Sequence, residues 1–404
     1  MCSATHVISA PAPAGWNPRT AIAMRFPEIV EPARSVHYEI RTVEAELDRR
    51  EAGGCDTSCP RQILRELRWR LEYTADTSAI RATLARLRTW AALSLSPAAA
   101  SHDAEGAHGG CTDVWFLKLD ACVDQMLSDD FDEQGRPPRF LDRINDPGRL
   151  KDYLESLRVS RLDEDGIDRR KELNFATADL VRLIIWRRPR NYPWDPRLET
   201  VIRRFIIEWQ DPTTGFFGAD YLIGGRRLRT VDLSLTFHMA RYLEGAIGYW
   251  PHLVDTLFAI RGRRYPNGWL DEIGMTNHNN YDVAVLLQLG WPHMRADQRR
   301  RAAEELAGLV DWCLTTAISP DGEIVARAAG ESLPESYYFT IAFLATVGYF
   351  DPAKRFWTEL DFPEAPALRA QLDERLSVLP EADPMTRMAR ARLPRSYVSN
   401  DQAD

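Results

Sequence analysis

Apolar positions recur at spacings of three and four along most of the chain, the signature of helices that bury one face. Val36, Ile40, Val43 and Leu47 predict a helix over 36–50 that Gly53-Gly54 ends. Pro60 suits the first turn of a second helix reaching about Tyr73, since a proline there loses no hydrogen bond. Ile80, Leu84, Leu87 and Ala91 predict a third over 77–95, and Trp115, Leu119, Cys122, Val123 and Met126 a fourth over 113–127. Apolar segments then alternate in two kinds. One kind, read as outer helices, covers 147–159, 196–209, 251–262 and 296–317; the other, read as inner helices, covers 172–187, 232–247, 281–290 and 335–348. A last helix is expected over 367–376, followed by a basic stretch with Arg387, Arg390, Arg392 and Arg395. Strand patterning is weak, with 216–223 the single short candidate.

The alternation is periodic. Gly166, Gly215, Gly268 and Gly322 each sit in a polar turn, spaced by 49, 53 and 54 residues. Each later apolar segment stops at an aromatic and a proline, as in Tyr249-Trp250-Pro251, Trp291-Pro292 and Tyr349-Phe350-Asp351-Pro352. A fixed period of this length marks a repeat architecture, in which one hairpin cannot bury its own apolar face and neighbours cover it. The expected organisation is a poorly ordered 1–30, a helical region over 31–95, a linker over 96–112, the repeats over 113–362 and a C-terminal helix and tail over 363–404.

Composition narrows the function classes. The net charge of −8 over 404 residues offers no basic surface for nucleic acid. No run approaches the ~20 apolar residues that cross a bilayer, and the first fifteen residues lack the pattern of a secretory signal, so the expectation is a cytoplasmic protein without an integral membrane segment. Six scattered cysteines do not read as a disulfide scaffold. Cys55, Cys59 and Cys111, with His102 and His108, invite a zinc reading, but CxxxC is a loose spacing and exposed loop residues account for them better. Asp163-Glu164-Asp165 reads as a solvated turn. The twelve tryptophans are core residues or aromatic walls.

At Phe205-Ile206-Ile207-Glu208-Trp209-Gln210-Asp211-Pro212-Thr213-Thr214-Gly215-Phe216 the chain resembles the Q-W repeat of the terpenoid cyclase and protein prenyltransferase β-subunit superfamily. Asp232-Leu233-Ser234-Leu235-Thr236-Phe237-His238 is similar to that family's inner-helix start, and Tyr265-Pro266-Asn267-Gly268-Trp269 repeats the turn without the Gln. The resemblance covers about residues 160–350. It implies an all-α fold, an α/α toroid built as an incomplete barrel of helical hairpins, here with a helical N-terminal extension. The family's DxDD proton donor is absent, since Asp232 and Asp282 each stand alone. Asp311-Trp312-Cys313 matches part of the prenyltransferase zinc site, but no histidine follows it, so protein prenylation is rejected.

In such a toroid the inner-helix starts share one mouth, where polar residues stand out against an apolar core. Thr276-Asn277-His278-Asn279-Asn280-Tyr281-Asp282 is the densest polar stretch; an N-cap at Asn279 or Asn280 explains one of the seven. Tyr281 and Gln288, seven apart, share a helix face, with Asp282 about a quarter-turn away. Asp232 opens its own helix as a cap or an acid, while His238, six residues on, reads better as a core histidine. Glu335, Tyr337 and Tyr338 open the last inner helix, and Tyr338, Ala342 and Ala345 share a face, leaving either space or a close helix approach. The expected catalytic residues are Asp232, Tyr281, Asp282 and His278. Substrate would meet His238, Asn279, Asn280, Gln288, Trp269, Phe237, Glu335, Tyr337 and Tyr338.

Two chemistries fit these residue types. In one, an aspartic acid protonates an alkene or epoxide of a hydrophobic, polyene-type small molecule, and aromatic faces stabilise the cation. In the other, a uronate-containing glycan undergoes elimination with Asn, His and Tyr as the acting groups. A non-catalytic helical scaffold is the third reading. No metal or redox cofactor is called for, a homodimer is left open, and no Gly-rich phosphate loop, HExxH or GxSxG is present.

Overall fold

The computed structural model describes residues 9–13, 15–52, 55, 57–92, 111–127, 138–186, 192–327, 331–381 and 383–393. It is predominantly helical, with one small sheet among the described residues. The chain forms two compact units. One comprises residues 1–209 and 218–230, the other 210–217 and 231–404.

In the first unit, α1 (Pro18–Arg25) precedes a group formed by α2 (Val30–Ala52), α3 (Ser58–Tyr73) and α4 (Thr77–Ala92), which pack on one another. Their facing positions, among them Val36, Ile40, Leu47, Ile63, Leu67, Ile80 and Leu87, form one apolar cluster. α5 (Trp115–Met126) packs on α3 and on α7 (Arg170–Val181), while α6 (Pro147–Arg158) packs on α7 and on α8 (Leu198–Trp209). On α8 the buried residues Leu198, Ile202, Phe205, Ile206 and Trp209 fall at steps of 4, 3, 1 and 3, a single stripe, whereas Ile207 faces solvent.

Three sequence expectations need correction here. Residues 9–29, expected to be poorly ordered, contribute a strand, a helix and the fully buried Ile22 and Ile29. Strand content exceeds the one candidate: β1 (Ser9–Pro11), β2 (Val159–Ser160), β3 (Asp220–Ile223) and β4 (Arg226–Arg229) form a sheet in the order β1-β4-β3-β2. β4 is arginine-rich and β1 lies in a proline-rich stretch, so neither shows apolar alternation. Cys59 and Cys111 form a disulfide across 52 residues. That pairing is set by tertiary packing around α3, and it occupies two of the three sulfurs that the zinc reading used. Most of the expected linker, with His102 and His108, lies outside the described residues. Asp163 is structural: its carboxylate accepts from Gly224 N–H at 2.6 Å.

Beside the disulfide, Glu66 is buried and fully engaged. It accepts from Arg70 Nε at 2.9 Å, Arg86 at 2.8 Å, Thr112 at 2.8 Å and Thr83 at 3.2 Å. Burial raises its pKa, but the Thr112 and Arg70 hydrogen bonds and the charges of Arg86 and Arg70 outweigh that and hold it below the usual range. A depressed carboxylate pKa gives stability that is present above the unfolded value near ~4.3 and lost as pH falls through the native value. Glu66→Gln is therefore expected to cost roughly 2–3 kcal/mol at pH 7. Urea unfolding should show the gap to the unsubstituted protein narrowing below pH ~4; a gap independent of pH would contradict this.

In the second unit, α9 (Leu233–Tyr242), α11 (Asn277–Gly290), α13 (Leu333–Thr346) and α15 (Pro384–Arg392) pack on one another in that sequence. α10 (Trp250–Ala259) and α12 (Ala296–Trp312) pack on α11, and α14 (Ala365–Ser377) packs on α15. α11 is central and buried around nearly its whole circumference, from Asn277 through Leu287. Part of the basic stretch expected to be tail is thus a helix packed on α13. Asp383 caps it, Pro384 occupies its first turn, and Thr386 and Ala389 are fully buried. Their small size hides the apolar period in the sequence. It also suits the second reading of Ala342, fully buried in the same core as Ala389: helices approach closely.

The repeat residues act as staples. Gln210 donates to Gly215 O at 2.8 Å and Gly248 O at 2.7 Å, and accepts from Gly248 N–H at 2.8 Å. Gly215 adopts φ +72°, and a Cβ there would stand 2.5 Å from Leu253 N. Several tryptophans donate the indole N–H to backbone carbonyls, Trp250 to Gly245 and Trp357 to Val347 among them, which makes them core residues.

Candidate functional site

Because α11 is enclosed on nearly all sides, its polar first turns must find partners inside the protein. Thr276 caps the helix by accepting from Asn279 N–H at 3.3 Å. Asn277 donates to Thr340 of α13 at 2.8 Å, and Asn279 donates to Trp269 O at 2.9 Å. Trp269 in turn donates to Leu257 O of α10 at 3.0 Å. Asn277, Asn279 and Trp269 therefore fasten the helix start. Asn280 is buried, and its Nδ2 has no partner among the described residues.

Tyr281 is the centre of an aromatic and cationic cluster. α9 supplies Phe237, with its ring centroid 5.4 Å from Tyr281, and one turn on Arg241, whose guanidinium lies 5.6 Å from both rings. α13 supplies Tyr338 at 6.4 Å and Phe339 at 6.2 Å from Tyr281. α15 supplies Arg392, its guanidinium 5.5 Å from the Tyr281 ring and 5.8 Å from that of Tyr338. The Tyr338 hydroxyl lies against the Arg241 guanidinium. Burial pushes the Tyr281 phenol pKa up, although the charges of Arg241 and Arg392 oppose it, so the phenol keeps its proton at neutral pH.

Asp282 lies a quarter-turn on. Tyr265 donates to its Oδ2 at 3.2 Å, while Oδ1 is buried without a partner among the described residues. Tyr265 is fixed by the chain on both sides: its N–H donates to Leu270 O at 2.7 Å, and the next carbonyl, Pro266 O, accepts from Leu233 N–H at 2.7 Å. Burial drives the Asp282 pKa well above the carboxylate range, and the Asp232 charge acts in the same direction. The Tyr265 hydrogen bond and the Arg241 charge oppose both without reversing them. Asp282 is therefore pushed toward its protonated form, the form able to give up a proton. Asp232, buried at the start of α9, accepts from Leu235 N–H at 3.0 Å as the helix cap.

His278 adjoins the cluster, stacked on Phe339 at 3.9 Å and tilted toward Tyr265 at 5.8 Å. Its Nδ1 is 3.8 Å from Glu331. Burial lowers its pKa, so the imidazole is neutral at pH 7.

Of the residues expected from sequence, the structure gathers Asp232, Phe237, His278, Tyr281, Asp282 and Tyr338. It gives the others, Asn280 excepted, separate employment. His238 stacks on Tyr242 at 5.6 Å along α9. Gln288 donates to Thr346 O at 3.2 Å, Glu335 closes a capping box with Ser332, and Tyr337 donates to Gly322 O at 3.3 Å. Tyr265, Arg241 and Arg392 join the cluster without being among the residues expected from sequence. The only sequence signal for Arg241 is its four-residue distance from Phe237; Arg392 depends on α15 being a helix at all.

Cys313, in the partial prenyltransferase pattern, is fully buried at the end of α12, and burial pushes its thiol up to about 12, with the Asn277 amide opposing. A thiol held in this protonated form is a poor metal ligand. No helix among the described residues is long and apolar enough to cross a membrane. In comparisons with known proteins, the chain matches no family model, no curated protein and no solved structure.

Proposed function

We propose that the second unit is a general-acid enzyme of the terpenoid-cyclase type, with Asp282 donating a proton to an alkene or epoxide of a largely apolar small molecule. The observation that carries this reading is the setting of Asp282: buried, its pKa raised by that burial, oriented by Tyr265 through one oxygen and with the other oxygen without a partner among the described residues. Transfer of its proton to substrate forms a C–H or O–H bond and leaves a carboxylate, which the Tyr265 hydroxyl and the Arg241 charge stabilise. Loss of a proton from the cationic intermediate restores the acid, so the net change is a cyclisation or isomerisation. Phe339 offers a ring beside the site, whereas Tyr281 already carries two guanidiniums and Phe237 one, which makes both poor seats for a further cation. We also propose that the series α9, α11, α13, α15, with α10, α12 and α14 alternating between them in sequence, is an arc of an α/α toroid.

The elimination reading finds support in the two arginines, which would neutralise a carboxylate. It also needs a phenolate-forming base, and burial moves the Tyr281 pKa the wrong way for that role. The acid reading is therefore preferred. Incubating the purified protein in D2O with a panel of polyenes and epoxypolyenes tests it by mass spectrometry. The expected product carries one deuterium, and formation of the same product at an undiminished rate by Asp282→Asn would refute the assignment.

A further inference from the structure

The first unit contains a cavity lined by none of the residues assigned to the proposed reaction. Its volume is about 410 Å³, and Asp113, Trp115, Lys118, Arg139, Phe140 and Arg143 line it. A concavity of that size falls within the ~300–1,000 Å³ range of small-molecule sites. Three of the lining residues carry positive charge and one carries negative charge, in a chain whose net charge is −8. We infer that this cavity binds a small molecule bearing two or more negative charges on carboxylate or phosphate groups. The inference is independent of the acid assigned to Asp282.

The cationic lining rests on buried anchors. Phe140, Leu141 and Ile144 are buried in and just after the short 3-10 turn Arg139–Arg143, while Arg139 and Arg143 stay exposed. The Trp115 indole donates to Phe140 O at 2.8 Å and so ties α5 to that turn. Arg143 lies over two rings, its guanidinium 5.5 Å from that of Trp115 and 5.4 Å from that of Tyr153 on α6. Stacking of this kind orients a guanidinium and leaves its N–H edge available for paired bonds to an oxyanion. The acids around the cavity have other partners. Asp113 pairs with Arg86 at 3.5 Å, Asp142 accepts from Tyr192 at 2.6 Å, and Glu172 accepts from Tyr153 at 2.9 Å. Among the described residues neither Arg139 nor Arg143 forms an ion pair, although the Arg143 charge reaches Glu172. Lys118, half-buried, adds a third cation. Two arginines and a lysine around one cavity can meet more than one negative charge at once, which favours a multivalent ligand over a simple carboxylate. Carboxylate and phosphate share this recognition chemistry, and the experiment separates them.

Isothermal titration of the full chain at constant ionic strength would use citrate and inorganic phosphate as probes, with acetate as the monovalent control. The expected result is saturable binding of citrate or phosphate, tighter than that of acetate. Arg139→Gln and Arg143→Gln should each weaken it roughly tenfold in Kd, the scale of one charge-assisted hydrogen bond. Asp113→Asn should tighten binding, because it removes the one negative charge from the lining. Arg81→Gln, an exposed change on α4, should leave it unaltered. Tighter citrate binding assigns carboxylate groups to the ligand, and tighter phosphate binding assigns phosphate. Absence of saturable binding for both probes, acetate binding as tight as either, or unchanged affinity in Arg139→Gln overturns the inference. A loss in Arg81→Gln as large as in Arg139→Gln marks diffuse charge attraction and overturns it as well. Arg143 is stacked on two rings, so Arg139→Gln carries the test should circular dichroism melts show Arg143→Gln unfolded. Asp282→Asn is expected to bind the probes as the unsubstituted protein does, so turnover in that variant and anion binding in the arginine variants report on separate claims.

Discussion

Asp282→Asn is expected to lower turnover by roughly three orders of magnitude, the scale of a lost general acid, while leaving the protein at neutral pH as stable as before or more so. The second half follows from the sign of the pKa shift. Burial raises the native-state pKa of Asp282 well above the unfolded value of ~3.9. Between those two values the native state holds a proton that the unfolded chain has released. Stability is therefore fully present below pH ~4 and falls as pH rises toward the native pKa. Asparagine keeps the shape, still accepts from Tyr265 and has no proton to lose, so this pH-dependent penalty disappears. Thermal or urea unfolding from pH 4 to pH 8 should show the substituted protein gaining on the unsubstituted one as pH rises. A purely structural acid gives the stability pattern with no loss of turnover. An Asp282 that is ionised in the native state and paired gives the opposite pattern, a loss of stability on substitution that grows toward neutral pH.

The all-α class was legible because the repeat turns and the 3.6-residue period are local properties. Gly166, Gly215 and Gly322 adopt positive φ, and Gly268 sits where a side chain would strike the Arg263 and Ile260 carbonyls, so their regular spacing reports a real constraint. The site was legible in part for the same reason: polar residues opening an apolar helix are conspicuous. The sequence pattern starts that helix at Tyr281, whereas it begins four residues earlier at Asn277, with Thr276 as its cap, and this changes what the asparagines do. Asn277 and Asn279 bind Thr340 and Trp269 rather than a ligand. Such assignments depend on which distant group arrives opposite each side chain, and no local pattern encodes that. Arg392 is the clearest instance. A run of arginines near a chain end resembles a solvated tail, and only the packing of Thr386 and Ala389, too small to produce a visible apolar stripe, turns it into a helix that delivers a cation to a tyrosine more than a hundred residues earlier.

Gln210→Ala is expected to destabilise the second unit by roughly 5 kcal/mol, among the larger effects of a single side chain outside an apolar core. Gln210 is buried, and its amide makes three hydrogen bonds, all to backbone: two with Gly248 and one with Gly215. These tie the turn after α8 to the turn before α10, which is why a glutamine, with one acceptor and two donors on a single planar group, suits the position. Alanine removes all three bonds and leaves the Gly248 N–H and both carbonyls to find water at a site packed against Gly248. Each such orphaned group costs ~1–3 kcal/mol, and the three are not fully additive. Gln210→Glu tests the mechanism more sharply. It keeps the volume and the bond from Gly248 N–H but turns the donor toward two carbonyls into an acceptor, so it should be at least as harmful as alanine. Urea unfolding measures both, and hydrogen exchange should show faster opening over residues 211–250 than over α13. A cost below ~1 kcal/mol for either substitution would mean that the paired turns are held by the apolar contacts of Trp250 and Leu253 alone.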